Sequence, residues 1–147
     1  MRVAECMSSD VETVTPDQPI QEAARFMLRA DTGVLPVVQD EVLRGMITDR
    51  DIAVRAIAQG RGPDTPISDV MTDEAVCVYD DQDLDEAARI MGDHQVRRLA
   101  VKSRDSDRLV GMISLGDISR THKDDTAAIA LDDISQRSGE HNQSQGG

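Results

Sequence analysis

Two copies of one octet set the architecture of this chain: GMITDRDI at residues 45–52 and GMISLGDI at residues 111–118. Each copy is a glycine, two apolar residues, a hydroxyl residue, two variable positions, an aspartate and an isoleucine. The copies begin 66 positions apart. A repeat of this length divides the 147-residue chain into two related supersecondary units and predicts two related sites.

The similarity between the two units extends beyond the octets. Residues that match at a spacing of 64 positions are Met7 with Met71, Val14 with Val78, Ile20 with Leu84, Ala23 with Ala87, and Met27 with Met91. Residues 35–37 match residues 99–101 at the same spacing. Two extra residues in a polar stretch, 103–107, account for the change from 64 to 66 and predict a turn there.

Each unit is predicted to fold in the order strand, helix, strand, strand, helix. In the first unit we expect strands at residues 11–14, 34–38 and 43–47, with a hairpin turn at Asp40-Glu41. Apolar residues at helical spacing after Pro19 predict the first helix: Ile20, Ala23, Ala24, Met27 and Leu28. A second helix is predicted from Thr48 to about Ala58, ended by residues 60–63.

The second unit repeats this order. Its first helical face is predicted from Leu84, Ala87, Ala88 and Met91. Its paired strands are expected at residues 99–101 and 109–113, and Ser114 is expected to open the last helix. The predicted organisation is repeat one at 1–60, a linker at 61–66, repeat two at 67–120, and a polar, mobile tail at 121–147 with a possible helix at 126–134.

The composition predicts one domain with an aliphatic core. A repeat of about 60 residues is marginal as an independent fold, so we expect the two repeats to share a core. Phe26 and Tyr79 are the only aromatic residues, and there is no tryptophan. The core must therefore consist of Val, Ile, Leu, Met and Ala.

Charge and hydropathy exclude several classes of function. A formal net charge of −12 disfavours binding to nucleic acid phosphates and to anionic membranes. No apolar stretch approaches the roughly 20 residues of a membrane span, and the first residues lack the apolar run of a secretion signal. Two cysteines do not form a disulfide scaffold, so we expect a cytoplasmic protein with reduced thiols.

The octet has an architectural interpretation and a functional one. Thr48 and Ser114 are good N-cap residues, and Asp51 and Asp117 follow at the position where a carboxylate favours a helix start. The same geometry fits a nucleotide: the helix start and the cap hydroxyl suit a phosphate, and the aspartate can accept two hydrogen bonds from a ribose diol. The residue types alone leave both interpretations open.

The ordered set of motifs resembles the CBS domain. The resemblance rests on the strand-helix-strand-strand-helix order, the Thr13-Val14 strand, the sequence Leu35-Pro36-Val37, and Gly-apolar-apolar-Thr/Ser-x-x-Asp. Most of the set is duplicated over roughly residues 3–120. The resemblance is to tandem CBS pairs, called Bateman modules, and in particular to small stand-alone bacterial CBS-domain proteins. It implies an α+β fold in which β-α-β-β-α occurs twice and forms one pseudo-twofold module.

The resemblance also implies a function and a set of contacts. It implies clefts between the repeats that bind AMP, ADP, ATP, NAD or S-adenosylmethionine as regulators, and a disc-like homodimer of two modules. The implied roles are Asp51 and Asp117 on ribose hydroxyls, Thr48 and Ser114 on ribose or phosphate, and the backbone around Val14 and Val78 on the adenine edge. Val34, Leu35 and Pro36, with Arg98, Leu99 and Ala100, would line the path of the sugar and phosphate.

The two repeats differ at several of these positions. Cys77 stands where repeat one has Thr13, and Ala100 stands where it has Pro36. Arg97-Arg98 correspond to Gly33-Val34 and are the best candidates for phosphate contacts, with Arg50 and Lys102 as helpers; a purely solvated role for the pair is the alternative. We therefore expect two unequal sites.

Three functions remain to be distinguished. The first is a non-catalytic regulatory module that binds an adenine nucleotide and acts on an unidentified protein partner. The second is a nucleotide hydrolase working through a metal held by Asp49 and Asp51, or by Asp80, Asp81 and Asp83. The third is a structural or stress-response interaction protein with vestigial clefts. A redox pair or nucleophile at Cys6 and Cys77, or a metal site at His94, His122 and Cys6, lacks the usual spacing.

Overall fold

The computed structural model describes residues 1–73 and 75–121. The predictions of a mobile tail and of a helix at 126–134 therefore lie outside the described residues. Every helix in the described ranges is too short or too polar to cross a bilayer.

The predicted order of elements is present throughout repeat two and, in repeat one, from the first helix onward. Repeat one contains α1 (Ile20–Ala30), β1 (Val34–Gln39), β2 (Val42–Thr48) and α2 (Asp49–Asp51), which continues as a π-helical turn at Ile52–Ala56 and a 3₁₀ turn at Ile57–Gln59. Repeat two contains β3 (Cys77–Tyr79), α3 (Leu84–His94), β4 (Arg98–Lys102), β5 (Leu109–Ser114) and α4 (Leu115–Thr121). Short 3₁₀ turns lie at the start of the two repeats, at Val3–Glu5 and Ile67–Asp69.

Both local turns predicted for repeat one are confirmed. Strands β1 and β2 pair antiparallel, and Asp40 and Glu41 between them have φ angles of 55° and 67°. Positive φ at both central residues is the geometry of a two-residue hairpin loop. Gly60 ends the second helical segment with a φ of 78°, in the left-handed region that glycine adopts without strain.

The first strand predicted for repeat one, at residues 11–14, is reduced to an isolated bridge at Val14. In repeat two, β3 pairs parallel with β4 over three residues, and the N–H of Asp80 donates to the carbonyl of Lys102 (3.0 Å). In repeat one only Val14 forms a bridge, with Val37. The counterparts of Asp80 and Ala100 are Pro16 and Pro36, which have no N–H to donate, so the ladder cannot extend on either side of Val14.

The apolar face of α1 is narrower than predicted. Ile20, Ala23 and Met27 are buried as expected, but Ala24 is exposed and Leu28 is 85% exposed. In α3 the matching positions, Ala88 and Gly92, are both buried. The buried stripe of α1 thus runs along i, i+3 and i+7, and the prediction that it includes Ala24 and Leu28 is wrong.

The buried residues form two hydrophobic clusters rather than the single shared core that we expected. The chain divides into a repeat-one unit, residues 12–75, and a repeat-two unit, residues 1–11 with residues 76–121. Ile67 and Val70 pack in the cluster of the repeat-one unit, whereas Val3 packs in that of the repeat-two unit. Each unit therefore gains apolar side chains from the segment that begins the other sequence repeat.

The octet glycines allow these segments to approach the sheets. Thr72 and Met46 exchange backbone hydrogen bonds of 2.8 and 3.0 Å, and a Cβ on Gly45 would lie 2.3 Å from the carbonyl oxygen of Thr72. In the repeat-two unit, Ser8 and Met112 exchange the equivalent bonds, at 2.8 and 2.9 Å. A Cβ on Gly111 would lie 2.6 Å from the carbonyl oxygen of Ser8. Both glycines are therefore required by a close backbone contact.

Candidate functional site

The threonine and aspartate of the first octet form a reciprocal cap at the start of α2. The N–H of Asp51 donates to Thr48 Oγ1, and the N–H of Thr48 donates to Asp51 Oδ2, both at 3.0 Å. The three-residue spacing makes this possible, because Thr48 is extended and Asp51 is in the first helical turn. The architectural interpretation of the octet is therefore confirmed for repeat one.

The second octet forms the same cap at the start of α4. The N–H of Asp117 donates to Ser114 Oγ at 3.0 Å, and the N–H of Ser114 donates to Asp117 Oδ2 at 2.9 Å. The side chains of Asp51 and Asp117 are 12% and 15% exposed. Each carboxylate is therefore held in one orientation and keeps its second oxygen, Oδ1, outside the cap.

An arginine approaches that second oxygen in each repeat. Arg55 Nε lies 3.8 Å from Asp51 Oδ1, and its Nη1 reaches the carbonyl oxygens of Val70 (3.4 Å) and Met71 (3.2 Å). Arg120 Nη2 lies 2.5 Å from Asp117 Oδ1. The arginine side chains are 53% and 74% exposed, so each can turn toward water if another donor takes its place. The second oxygen can thus accept hydrogen bonds from a ligand.

The strand register brings further predicted site residues next to the caps. Val34 pairs with Thr48, and Arg98 pairs with Ser114. Arg97 is exposed and Arg98 is half-buried. The guanidinium-bearing pair of repeat two therefore begins the strand directly beside the Ser114 cap, whereas Arg50, which is exposed, directly precedes Asp51 in repeat one.

Thr13-Val14 and Cys77-Val78 lie on the other side of the central strand from the caps. In repeat two, β4 lies between β3 and β5. In repeat one, β1 pairs with β2 and also with Val14. Two strand spacings, about 10 Å, therefore separate the adenine-side residues from the capping strand within a repeat. That span is comparable with the length of an adenosine.

Several predicted site residues are part of the hydrophobic clusters. Val14, Leu35, Val78 and Leu99 are each no more than 1% exposed, and Pro36 is also buried. The backbone N–H of Val14 donates to the carbonyl of Pro36, and its carbonyl accepts from the N–H of Val38. The side chains of these residues stabilise the core. The residues on either side of Val14, Thr13 and Thr15, are both exposed.

Lys102 lies away from the capping strand end. It pairs with Tyr79 and Leu109, four residues along β4 from Arg98, and its Nζ lies 3.4 Å from Asp107. Burial lowers the pKa of Lys102, but the charges of Cys77 and Asp107 outweigh burial, so the pKa is raised. Lys102 thus has Asp107 as its ion-pair partner at the far end of β4 from Arg98, and its role as a helper in phosphate binding stays a prediction.

The cysteines and histidines form no recognisable centre in the part of the chain that the structure describes. Cys6 and Cys77 are both free and half-buried. Within residues 1–73 and 75–121, no group of three or more His, Cys, Asp or Glu side chains could hold a metal ion. His122 lies outside the described residues.

Two features of the site escaped the sequence analysis. The ion pairs of Arg55 with Asp51 and of Arg120 with Asp117 have helical spacings of four and three residues, which could have predicted them. The second feature is the proximity of Gly33 to Asp49: the N–H of Asp49 donates to the carbonyl of Gly33 at 2.9 Å. These two residues follow the Val34–Thr48 pair at the open end of the β1–β2 hairpin, and extending the predicted hairpin by one position would have indicated the contact.

Comparisons with known proteins agree with this architecture. The chain is 43% identical to the CBS domain-containing protein YhcV of Bacillus subtilis over 92% of this chain and 96% of that protein. It is 34% identical to Hypoxic response protein 1 of Mycobacterium tuberculosis over 78% of this chain and 80% of that protein. A crystal structure of Hypoxic Response Protein I, with two coordinated zinc ions, matches with a TM-score of 0.75, covering 82% of this chain and 98% of that chain.

A second solved structure carries ligands. The CBS domain pair of protein MJ0100, in complex with 5′-methylthioadenosine and S-adenosyl-L-methionine, matches with a TM-score of 0.71 and 29% identity, over 82% of this chain and 98% of that chain. The family model described as the CBS domain matches residues 3–57 and again residues 67–124. With two matches that follow the two repeats, the chain belongs to the CBS-domain family.

Proposed function

We propose that this protein is a regulatory module that binds adenosine-containing ligands and carries out no chemistry on them. The observation that carries the proposal is the duplicated cap, in which Asp51 and Asp117 are held by the same pair of hydrogen bonds. Each carboxylate keeps one oxygen, Oδ1, for hydroxyl donors. AMP, ADP, ATP and NAD all present a ribose diol of the required chemistry.

The proposed contacts follow from this arrangement. The ribose diol donates to Oδ1 of Asp51 or Asp117 and displaces the exposed arginine beside it. The hydroxyl of Thr48 or Ser114 accepts one hydrogen bond in the cap and can still donate one to the ligand. The adenine lies toward Thr13 or Cys77, because these residues lie across the central strand. The complex of MJ0100 with two adenosyl compounds supports the same ligand class in a related CBS pair.

A melting experiment tests this proposal. A ligand that binds only the native protein raises the melting temperature, and a concentration of 100 times Kd stabilises by about 2.7 kcal/mol. We expect adenosine, AMP, ATP or NAD at millimolar concentration to raise the melting temperature, with cytidine monophosphate as the matched control that keeps the ribose and phosphate. If no adenosine compound shifts the transition, the sensor function is ruled out and a structural or interaction role is favoured.

A nucleotide hydrolase is the less favoured alternative. The caps contain no nucleophile paired with a base, and both carboxylates are committed to backbone hydrogen bonds. Incubation of the pure protein with ATP and Mg²⁺ is expected to release no phosphate. Release that disappears in Asp51→Ala would overturn the non-catalytic assignment.

We further propose that the regulatory unit is a homodimer. Three large apolar side chains on the helical segments of repeat one are exposed: Leu28 (85%), Ile57 (62%) and Val54 (43%). Such side chains favour burial against a second copy. We expect light scattering on a sizing column to give a dimer mass, and Leu28→Lys with Ile57→Lys to shift it toward the monomer. Gln21→Lys, at an exposed position of α1, is the control and should remain dimeric. A parent protein that elutes as a monomer would rule out the dimer.

A further inference from the structure

Each cap has the same backbone contact beside it, but the side chains at that contact differ between the two repeats. In repeat one the N–H of Asp49 donates to the carbonyl of Gly33 at 2.9 Å. In repeat two the N–H of Leu115 donates to the carbonyl of Arg97 at 2.8 Å. The backbones are therefore equivalent, so Gly33 and Asp49 correspond in space to Arg97 and Leu115.

In repeat one the carboxylate of Asp49 takes the space that a side chain at position 33 would need. A Cβ built on Gly33 would lie 2.8 Å from Asp49 Oδ2 and 3.1 Å from Asp49 Cγ. In repeat two the residue after the cap is Leu115, which is 6% exposed and packs in the hydrophobic cluster. Because Leu115 packs in that cluster, position 97 has space for a side chain, and it holds an exposed arginine. The space beside the cap is thus taken by the carboxylate of Asp49 in repeat one, whereas in repeat two the matching position, 97, carries an arginine side chain.

The charges around the two caps differ accordingly. In repeat one this pair of positions holds Gly33 and Asp49, which bring one formal negative charge. In repeat two the matching positions hold Arg97 and Leu115, which bring one formal positive charge. Of the two caps, the repeat-two cap therefore has the more positive pair of residues beside it.

We propose that Asp49 is a specificity residue that reserves the repeat-one cap for adenosine compounds without a phosphate, while Arg97 directs phosphorylated nucleotides to the repeat-two cap. This inference rests on the proposed function, since it presumes that both caps bind a ribose. In this proposal the 5′ phosphate of a nucleotide held at Asp51 lies on the side of the cap next to Gly33, where the carboxylate of Asp49 repels it; a neutral or cationic 5′ substituent is not repelled. At the repeat-two cap the same phosphate would meet Arg97 and Arg98.

The test compares AMP with adenosine, two ligands that differ only in the phosphate. Binding is followed by NMR of the full chain labelled at the methionine methyl groups, of which there are seven. Met46 and Met112 are the matched reporters, because they pair with Pro36 and Ala100 at equivalent places in β2 and β5. We expect AMP to perturb Met112 at a concentration about tenfold lower than Met46, and adenosine to show no such preference for repeat two.

Variants then assign the preference to Asp49. Asp49→Asn keeps the shape and removes the charge, and it should strengthen AMP binding at the Met46 site about tenfold with little change for adenosine. Asp64→Asn, an exposed position in the same unit, controls for the change in net charge and should have little effect. The double variant Gly33→Arg/Asp49→Leu transfers the repeat-two pair to repeat one and should give the larger gain; its melting temperature verifies folding.

The outcomes separate the inference from the proposed function. Equal AMP affinity at both reporters, or no gain for AMP in Asp49→Asn and in the double variant, overturns the specificity role while adenosine binding leaves the proposed function standing. If neither adenosine nor AMP perturbs either reporter, the proposed function fails and the inference fails with it.

Discussion

Replacing Gly45 with alanine lowers the free energy of unfolding by about 3 kcal/mol, because the new methyl group has no space. A Cβ at this position would lie 2.3 Å from the carbonyl oxygen of Thr72, and the nearest atoms are backbone atoms that cannot turn away. The segment must therefore move and lose its two hydrogen bonds to Met46, or β2 must bend. Chemical denaturation of the purified variant measures the loss.

The equivalent glycine of repeat two and an uncrowded control glycine are tested by the same experiment. Gly111→Ala should destabilise by a similar amount, although part of its contact is with the side chain of Met7, which can shift. Gly62→Ala has nothing within 4 Å of its Cβ and should change stability by less than about 0.5 kcal/mol. If Gly45→Ala is as stable as Gly62→Ala, the close approach of Thr72 to β2 is wrong.

Replacing Asp117 with alanine weakens adenosine-ligand binding at the repeat-two cap by at least about 100-fold. A carboxylate that accepts hydrogen bonds from two hydroxyl groups contributes about 1.5–3 kcal/mol for each bond. The variant also loses the reciprocal cap with Ser114, which costs about 1–2 kcal/mol of stability. Calorimetric titration measures the affinity, and denaturation in the absence of ligand measures the stability.

A conservative variant separates the two effects. Asp117→Asn retains an oxygen that can accept from the N–H of Ser114, so most of the stability should return, whereas the loss of charge keeps ligand binding weak. Asp51→Ala should produce the corresponding loss at the repeat-one cap and leave the repeat-two cap intact. Parent-like affinity at both caps in Asp51→Ala/Asp117→Ala would show that these carboxylates serve the helix starts alone.

The local sequence predicted the conformation correctly wherever that conformation depends on neighbouring residues. The hairpin at Asp40-Glu41 and the helix end at Gly60 depend on a few consecutive residues, and the structure has both. The caps also depend on a three-residue spacing, which is why Thr48 and Ser114 could be predicted as helix starts. The missing strand at residues 11–14 is different, because its ladder is interrupted by Pro36, a residue of the neighbouring strand.

For the candidate site, the spacing predicted the capping residues but not the atoms that each carboxylate uses. Two of the four carboxylate oxygens are committed to backbone N–H groups, and the other two face Arg55 and Arg120. The core positions of Leu35 and Leu99 likewise depend on which face of the strand is covered. That coverage involves residues far away in the chain.

The hydrophobic periodicity, the repeated octet and the three-residue spacing of the caps were sufficient to predict the doubled β-α-β-β-α order. They also predicted one capping carboxylate in each repeat, since these features depend on residues within one turn or one strand. The packing of Val3 in the repeat-two cluster and of Ile67 in the repeat-one cluster, each supplied by the start of the other sequence repeat, could not be predicted in this way. These are contacts between residues distant in the chain. Their geometry is set by how whole strands and segments pack, and no local spacing encodes that packing.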